Sequence, residues 1–370
     1  MTTGNKQRVR WAVVGAGHIS QIALLPGFAN AENAVLAAIV SGDDVKRKEL
    51  GERYRVRTFD YGEYDALLDS GEIDAVYIGL PNHLHCEYSV RAMERRVHVL
   101  CEKPMAVDER ECQQMLRASD EAGVYLMIGY RLHFEPAHMQ AVEIANSGEI
   151  GRIRFIHSAF GQNVQAGNVR LMPVEQGGGP LYDMGIYCIN AARYFFREEP
   201  LSVHAVERSR HDARFADCPE QMAVSLTFPG ERIANFVCSF GSGDVSTLSV
   251  VGDKGSLTLD PAFEYAQPLR FTVKSEDDSR TRRFTKHDQF GAQLVYFSDC
   301  IRDGNPPEPD GLEGLADVHV IRMAHESARQ RQDLPLLAVR QRARPEPAQA
   351  IVRPGITPPE EIRASSPSGD

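Results

Sequence analysis

Asp183 and Tyr187 stand four residues apart in Gly177-Gly178-Gly179-Pro180-Leu181-Tyr182-Asp183-Met184-Gly185-Ile186-Tyr187. On a helix that spacing sets a carboxylate and a phenol side by side on one face. The carboxylate then accepts the phenol's hydrogen bond, or both point at one substrate hydroxyl. Three glycines and a proline predict a tight entry into the helix, with Pro180 at a first-turn position it favours. The plainer reading is a helix start with an early acidic residue and a buried Tyr whose hydroxyl needs a partner. Lys103, in Glu102-Lys103-Pro104, is the third candidate. A Lys before Pro can be rigidly held, and burial or a neighbouring cation can lower its pKa into the working range. Otherwise Glu102 and Lys103 form a local ion pair at a turn.

The first third of the chain supplies the elements that position these groups. Val9 to Val14 is a short apolar strand leading into Gly15-Ala16-Gly17-His18-Ile19-Ser20 and then a helical stretch, Gln21 to Phe28. Strand, glycine turn and helix together make a dinucleotide-binding turn. Gly15 allows the tight bend, Gly17 lets a pyrophosphate approach backbone N–H groups, and Ser20 replaces the third glycine. A second strand, Val35 to Val40, ends at Ser41-Gly42 rather than at an acidic residue, and Lys46, Arg47 and Lys48 follow. A small residue and cations suit a 2′-phosphate, which favours NADP over NAD. The alternative is an ordinary solvated helix start. Further strands are expected at Ala75 to Gly79, Val97 to Leu100 and Tyr125 to Ile128, with helices at Tyr61 to Leu68, Glu87 to Arg95 and, after an Asp108-x-x-Glu111 capping box, up to Ala122. Alternating strands and helices predict a doubly wound parallel sheet over residues 1–130, with ligands at the strands' carboxyl ends. Leu80-Pro81-Asn82-His83-Leu84-His85, Glu102-Lys103 and Tyr130-Arg131-Leu132-His133 lie at those ends.

The second half reads differently. Runs at Arg152 to Phe160, Ser202 to Glu207, Met222 to Phe228, Ile233 to Ser239, Thr247 to Val251, Ser256 to Leu259 and Arg270 to Val273 predict a large, mainly antiparallel sheet, with a hairpin turn at Gly252-Asp253-Lys254-Gly255. Helices are expected at Pro136 to Asn146, Gln289 to Arg302 and Leu312 to Arg329. This α+β unit spans 131–337, and its open sheet face predicts a homodimer or homotetramer. From residue 338 to 370 the chain is rich in Pro, Arg and Glu, cannot bury a core, and reads as a tail or arm.

Composition narrows the function further. A formal net charge of −10 argues against nucleic acid and anionic membrane as partners. No apolar run reaches membrane-spanning length. Seven scattered cysteines without a C-x-x-C pair predict reduced, buried thiols, and His83 and His85 lack companions at metal-binding spacing, so no metal is expected. Met1 to Arg10 carries neither a hydrophobic signal run nor twin arginines, which makes the cytoplasm the expected location.

Gly15-Ala16-Gly17-His18-Ile19, Leu80-Pro81-Asn82-x-x-His85, Glu102-Lys103-Pro104 and Asp183-Met184-Gly185-Ile186-Tyr187 together resemble the Gfo/Idh/MocA family of sugar and polyol oxidoreductases, over roughly residues 8 to 337. The resemblance implies that the proline after Lys103 is cis and that Lys103 and the Asp183 helix flank the nicotinamide. It implies cofactor contacts for these motif residues together with Ser41, Gly42, Lys46, Glu102 and Arg131. Tyr187, where most of the family has His, and Ser41-Gly42 with Lys46 are similar to the glucose–fructose oxidoreductase branch, which uses NADP. Two departures stand out. That branch's N-terminal arm, which helps to trap NADP, is not visible here. Val169 replaces a tryptophan common before the arginine matched by Arg170. The expected activity is hydride transfer between NADP and a sugar hydroxyl or carbonyl, with Tyr187 as acid/base, Lys103 polarising the oxygen and Asp183 orienting the substrate. Arg131, His133 and Arg170 are further candidates for cofactor or sugar contact. Competing readings are a redox-neutral, NAD-dependent glycosidase of the same family and a cofactor-binding sensor without catalysis.

Overall fold

A computed structural model of the chain describes residues 7–276, 278–339, 341 and 343–369. The first six residues, part of the polar N-terminal stretch, lie outside the described ones.

Six strands form the first sheet: β1 (Val9–Val14), β2 (Ala34–Val40), β3 (Arg57–Phe59), β4 (Ala75–Ile78), β5 (His98–Cys101) and β6 (Leu126–Ile128). Their order is β3-β2-β1-β4-β5-β6, and every pairing is parallel. The strand order reverses between β1 and β4, so the crevice at their carboxyl ends is the expected ligand site. Both faces of β1 are buried, as a sheet with helices on both sides requires. β3 was not expected, being only three residues long and partly exposed.

Nine strands form the second sheet: β7 (Ile153–Asn163), β8 (Ser202–Arg208), β9 (Gln221–Phe228), β10 (Arg232–Ser239), β11 (Gly241–Gly252), β12 (Gly255–Leu259), β13 (Arg270–Ser275), β14 (Ser279–Arg283) and β15 (Leu334–Pro335). The order is β14-β13-β12-β11-β7-β10-β9-β8-β15. All pairs are antiparallel except β7 with β10, which makes the sheet mixed. β9 alternates strictly between exposed and buried residues, the mark of a sheet with one covered face. The covering helix is Ile186–Phe196. Its entry lies close to the sheet because Gly185 has no side chain: a Cβ there would sit 3.2 Å from Cys238 Sγ and 3.3 Å from a Phe236 ring carbon.

Later parts of the chain return to the first sheet. Helix Gln289–Asp303 packs on the first sheet, where Phe290, Leu294 and Phe297 join Trp11 and Val13 in one buried cluster and Trp11 Nε1 donates to Ser298 Oγ. Of the two readings of the segment after residue 337, a tail or an arm, the contacts fit an arm. Ile351 N donates to Phe134 O, Asp288 N donates to Arg353 O, and Ile362 is buried in the same cluster as Trp11. Pro-rich composition rules out an independent core but not a segment laid along one that already exists.

Candidate active site

The glycine turn forms as its residues dictate. Gly15 adopts φ +96°, and a Cβ there would lie 2.5 Å from Gly79 O, so β1 and β4 can meet at this height only with glycine at position 15. A Cβ on Gly17 would meet nothing within 4 Å. That open face above a helix start is where a pyrophosphate fits, and on this observation the residues present suit a dinucleotide. Ser20, at the third-glycine position, is fully buried beside Gly79.

At the end of β2, Ser41 is buried and Gly42 packs against the Tyr61 ring. Asp43 caps the next helix by accepting from Val45 N and Lys46 N. Its carboxylate is therefore engaged with backbone, and backbone bonding, led by Lys46 N–H, holds its pKa below the usual range. Arg47 Nη1 donates to Ser41 O at 2.7 Å. Among the described residues no ion pair holds the half-buried Lys46, which leaves its ammonium available to a phosphate.

Lys103 follows the end of β5, and its bond to Pro104 is cis. Its Nζ donates to Asp183 Oδ1 at 2.9 Å and to Asp183 O at 2.8 Å. It also stands 4.9 Å from the centre of the Tyr187 ring. Asp183 Oδ2 accepts from Arg170 Nε at 2.7 Å. The carboxylate thus lies between two cations. Burial works to raise the Asp183 pKa, but Arg170 and Lys103 outweigh it and hold it far below the ordinary carboxylate range. Lys103 moves the opposite way. Burial works to lower its pKa, yet the Asp183 charge prevails and the net shift is upward. This corrects the expectation of a lysine tuned toward neutrality: Lys103 is held as an ammonium.

Asp183 and Tyr187 do not bond each other, which sets aside the first of the two arrangements their spacing allows. Leu181–Gly185 is a wide π-type turn, and the regular helix starts at Ile186. Such turns are frequent at functional sites because they re-aim side chains. Tyr187 Oη instead accepts from Arg131 Nε at 3.2 Å, and the Arg131 guanidinium lies 4.9 Å from the ring centre. Arg131 is buried and held by Gln289 Oε1 and Phe263 O. Phe160 and Phe263 wall the phenol. The three glycines serve the same end: a Cβ on Gly178 would lie 1.7 Å from Met172 O, and Asn82 Nδ2 donates to Gly177 O at 2.7 Å. Asn82 therefore latches the glycine loop to the first domain rather than reaching into the cleft.

Three more candidates point elsewhere. His85 is fully buried, with Nδ1 2.8 Å from Pro104 O and Nε2 2.9 Å from Leu80 O. Burial drives its pKa down to about 4. It braces Leu80-Pro81 against Lys103-Pro104 and has no free atom for a cofactor. His133 is buried between Glu308 and Asn190 and does not line the cleft. Glu102 accepts from Tyr77 Oη and from Lys103 N, so its carboxylate is turned into the protein. The sequence reading missed Tyr265, which stacks on Arg131 at 5.3 Å, and Gln289. Both sit in stretches whose local pattern carries no functional signal.

Profiles of two known domains match this chain: an oxidoreductase family with an NAD-binding Rossmann fold over residues 9–130, and the GFO/IDH/MocA C-terminal domain over 138–258. The chain belongs to the GFO/IDH/MocA oxidoreductase family. An aldose-aldose oxidoreductase from Caulobacter crescentus, solved with glycerol, is 35% identical, with a TM-score of 0.85 over 89% of this chain and 100% of that one. A 3-ketoreductase from Actinomadura kijaniata, solved with NADP and TDP-benzene, is 25% identical, with a TM-score of 0.79 over 87% of this chain and 98% of that one. A D-xylose 1-dehydrogenase (NADP+) from Haloarcula marismortui is 29% identical over 88% of this chain and 92% of its own length. Family membership agrees with the motifs, the parallel six-stranded sheet and the mostly antiparallel second sheet. Among the described residues no helix is long and apolar enough to cross a membrane.

Proposed function

We propose that the chain is an NADP-dependent oxidoreductase that transfers a hydride between nicotinamide and a sugar or sugar-derived hydroxyl or carbonyl. The observation that carries this reading is Tyr187 set between the cations Lys103 and Arg131 at the carboxyl ends of a parallel sheet. Bound NADP would supply the hydride acceptor, and NADPH the donor. Gly15, Gly17, His18, Ile19, Leu80 and Pro81 would hold the dinucleotide, with Ser41, Gly42 and Lys46 at its 2′-phosphate. Tyr187 moves the proton at the reacting oxygen, and an oxyanion developing there lies near two positive charges. Lys103 donates to that oxygen, while Asp183 and Arg170 fix Lys103 and orient the sugar. The named activities of the relatives support this class.

Within it, retention of NADP through successive sugar oxidations and reductions is favoured by similarity to the aldose-aldose oxidoreductase. Exposed Phe155, Ile233 and Val237 on neighbouring strands β7 and β10 support a homodimer through the open sheet face. Light scattering at micromolar concentration is expected to give twice or four times the chain mass, and a monomer would refute this. Seven free, buried thiols support a reducing compartment, the cytoplasm. The function itself is tested by following nicotinamide absorbance of the purified protein across a panel of aldoses and ketoses, first without and then with added NADP. Growth of the reduced cofactor with at least one sugar is expected. Cleavage of a chromogenic glycoside, or no turnover with any sugar, would overturn the reading in favour of the glycosidase or the sensor.

A further inference from the structure

Residues 361–363 run beside the glycine turn and the Ser41-Gly42 end of β2. Three contacts fix where they run. Ile362 is buried, and both its backbone groups meet one side chain: Gln21 Oε1 accepts from Ile362 N at 2.8 Å, and Gln21 Nε2 donates to Ile362 O at 2.9 Å. Gln21 is itself fully buried and also donates to Ala16 O in the glycine turn. Next to it, Glu361 Oε1 lies 2.9 Å from Nδ1 of His18, in the same turn. One residue further on, Arg363 Nη1 stands 3.5 Å from both oxygens of Asp43, at the Ser41-Gly42 end of β2.

The segment then leaves the first domain. Gln165 N donates to Pro367 O, and Gln165 Nε2 donates to Ser368 O. Gln165 precedes the loop that carries Arg170 to Asp183. The end of the chain therefore ties the phosphate-binding turn of one domain to the substrate loop of the other. It is also joined to the phenol by a continuous run of contacts: Glu361 to His18, His18 to Tyr265 at 3.5 Å, Tyr265 to Arg131, and Arg131 to Tyr187.

We propose that this segment is a strap that closes the dinucleotide cleft and retains NADP between turnovers, with Arg363 as a cation for the 2′-phosphate alongside Lys46. The proposal rests on the NADP reading above. A solvated tail would not bury an isoleucine or engage both backbone groups of one residue with a fully buried glutamine. Proline-rich sequence suits the task, because a stiff chain loses less entropy when it is laid down. Exit of a dinucleotide bound over Gly17 requires Ile362 to leave its site. Retention is therefore a matter of release rate, and the strap is expected to act there.

The test uses protein loaded with NADPH and chased with excess NADP, release being read from NADPH fluorescence. Two variants detach the strap: a chain ending at Gly355, which also removes Arg363, and Ile362→Asp, which keeps Arg363 in the chain. Release at least about tenfold faster than from the full chain is expected in both. Release within about twofold of the full chain in both would overturn the proposal. So would tighter NADPH binding after truncation, since the segment would then compete with the cofactor. Arg363→Ala is expected to weaken NADP binding about tenfold and to leave NAD binding unchanged. Equal loss for both cofactors would overturn the phosphate assignment. Failure of the underlying reading is distinguishable: the full chain would then bind NAD as tightly as NADP.

Discussion

At the proposed site, Asp183 lies between two cations, Lys103 and Arg170. It is the anion that keeps Lys103 charged although that side chain is largely buried. Removing the anion leaves burial unopposed and the Lys103 pKa falls. Asp183→Asn is therefore expected to keep the fold but to lose turnover on the alkaline side, as Lys103 gives up its proton within the assay range. A pH–rate profile checks this; the same alkaline limb in wild type and variant would remove Asp183 from that role. Tyr187→Phe is expected to retain NADP binding and to lose turnover by about 10²–10⁴-fold, the usual contribution of a general acid/base. Combined with Lys103→Ala it should lose less than the product of the two single losses, because both act at one oxygen. Turnover of Tyr187→Phe within about threefold of wild type, far below that acid/base range, would make the phenol a packing group.

At the scale of elements, the end of β2 is the proposed determinant of cofactor choice. Ser41-Gly42 follow β2 in place of an acidic residue, and the Asp43 carboxylate beyond them is turned to Val45 N and Lys46 N as a helix cap. Lys46 is left to meet a phosphate. Lys46→Ala is expected to weaken NADP about ten- to a hundredfold, the equivalent of a charge-assisted contact of about 1.5–3 kcal/mol, with NAD little changed. Parallel titrations read this directly, and unchanged NADP affinity would exclude Lys46. The strands and the glycine turn were legible in the sequence because hydrophobic runs and glycines report local demands. Lys103, Asp183 and Tyr187 were legible as a set through motif spacing. What could not be read was longer in range. The widening at Leu181–Gly185 separates Asp183 from Tyr187, and no local pattern encodes it. His85 and Asn82 occupy motif positions yet act through backbone carbonyls of other segments. The direction of the Lys103 shift depended on a carboxylate eighty positions away. The path of the strap depends on Gln21, whose partner lies 341 positions away.

For the whole molecule, three histidines with little access to water weaken the fold as pH falls. His85, His98 and His138 each have a pKa brought down to about 4, chiefly by burial. His98 also accepts a hydrogen bond from Tyr125 N, which needs an unprotonated nitrogen. In the unfolded chain a histidine titrates near 6.5. Between about pH 6.5 and 4 the unfolded state thus binds protons that the native state refuses, and stability falls as pH falls, by up to about 1.4 kcal/mol per pH unit for each group. His133 has the opposite sign. Burial works to lower its pKa, but Glu308 raises it. Its contribution is complete below the unfolded value and is lost as pH rises through the raised one, so its window lies above 6.5 and does not oppose the acid loss. Carboxylates held low, Asp183 first among them, extend the fall to more acid pH, while Asp317, Glu102 and Glu264, raised chiefly by burial, take up protons earlier in the folded chain and offset part of the loss. Urea titrations from pH 7 to 4.5 are expected to show unfolding free energy declining steadily across that window. His98→Gln keeps an acceptor for Tyr125 N without a titrating ring, and should lessen the slope by up to about 1.4 kcal/mol per pH unit, the contribution of one such group. A slope unchanged by His98→Gln would mean that this ring reaches water in the native state and titrates there as it does in the unfolded chain.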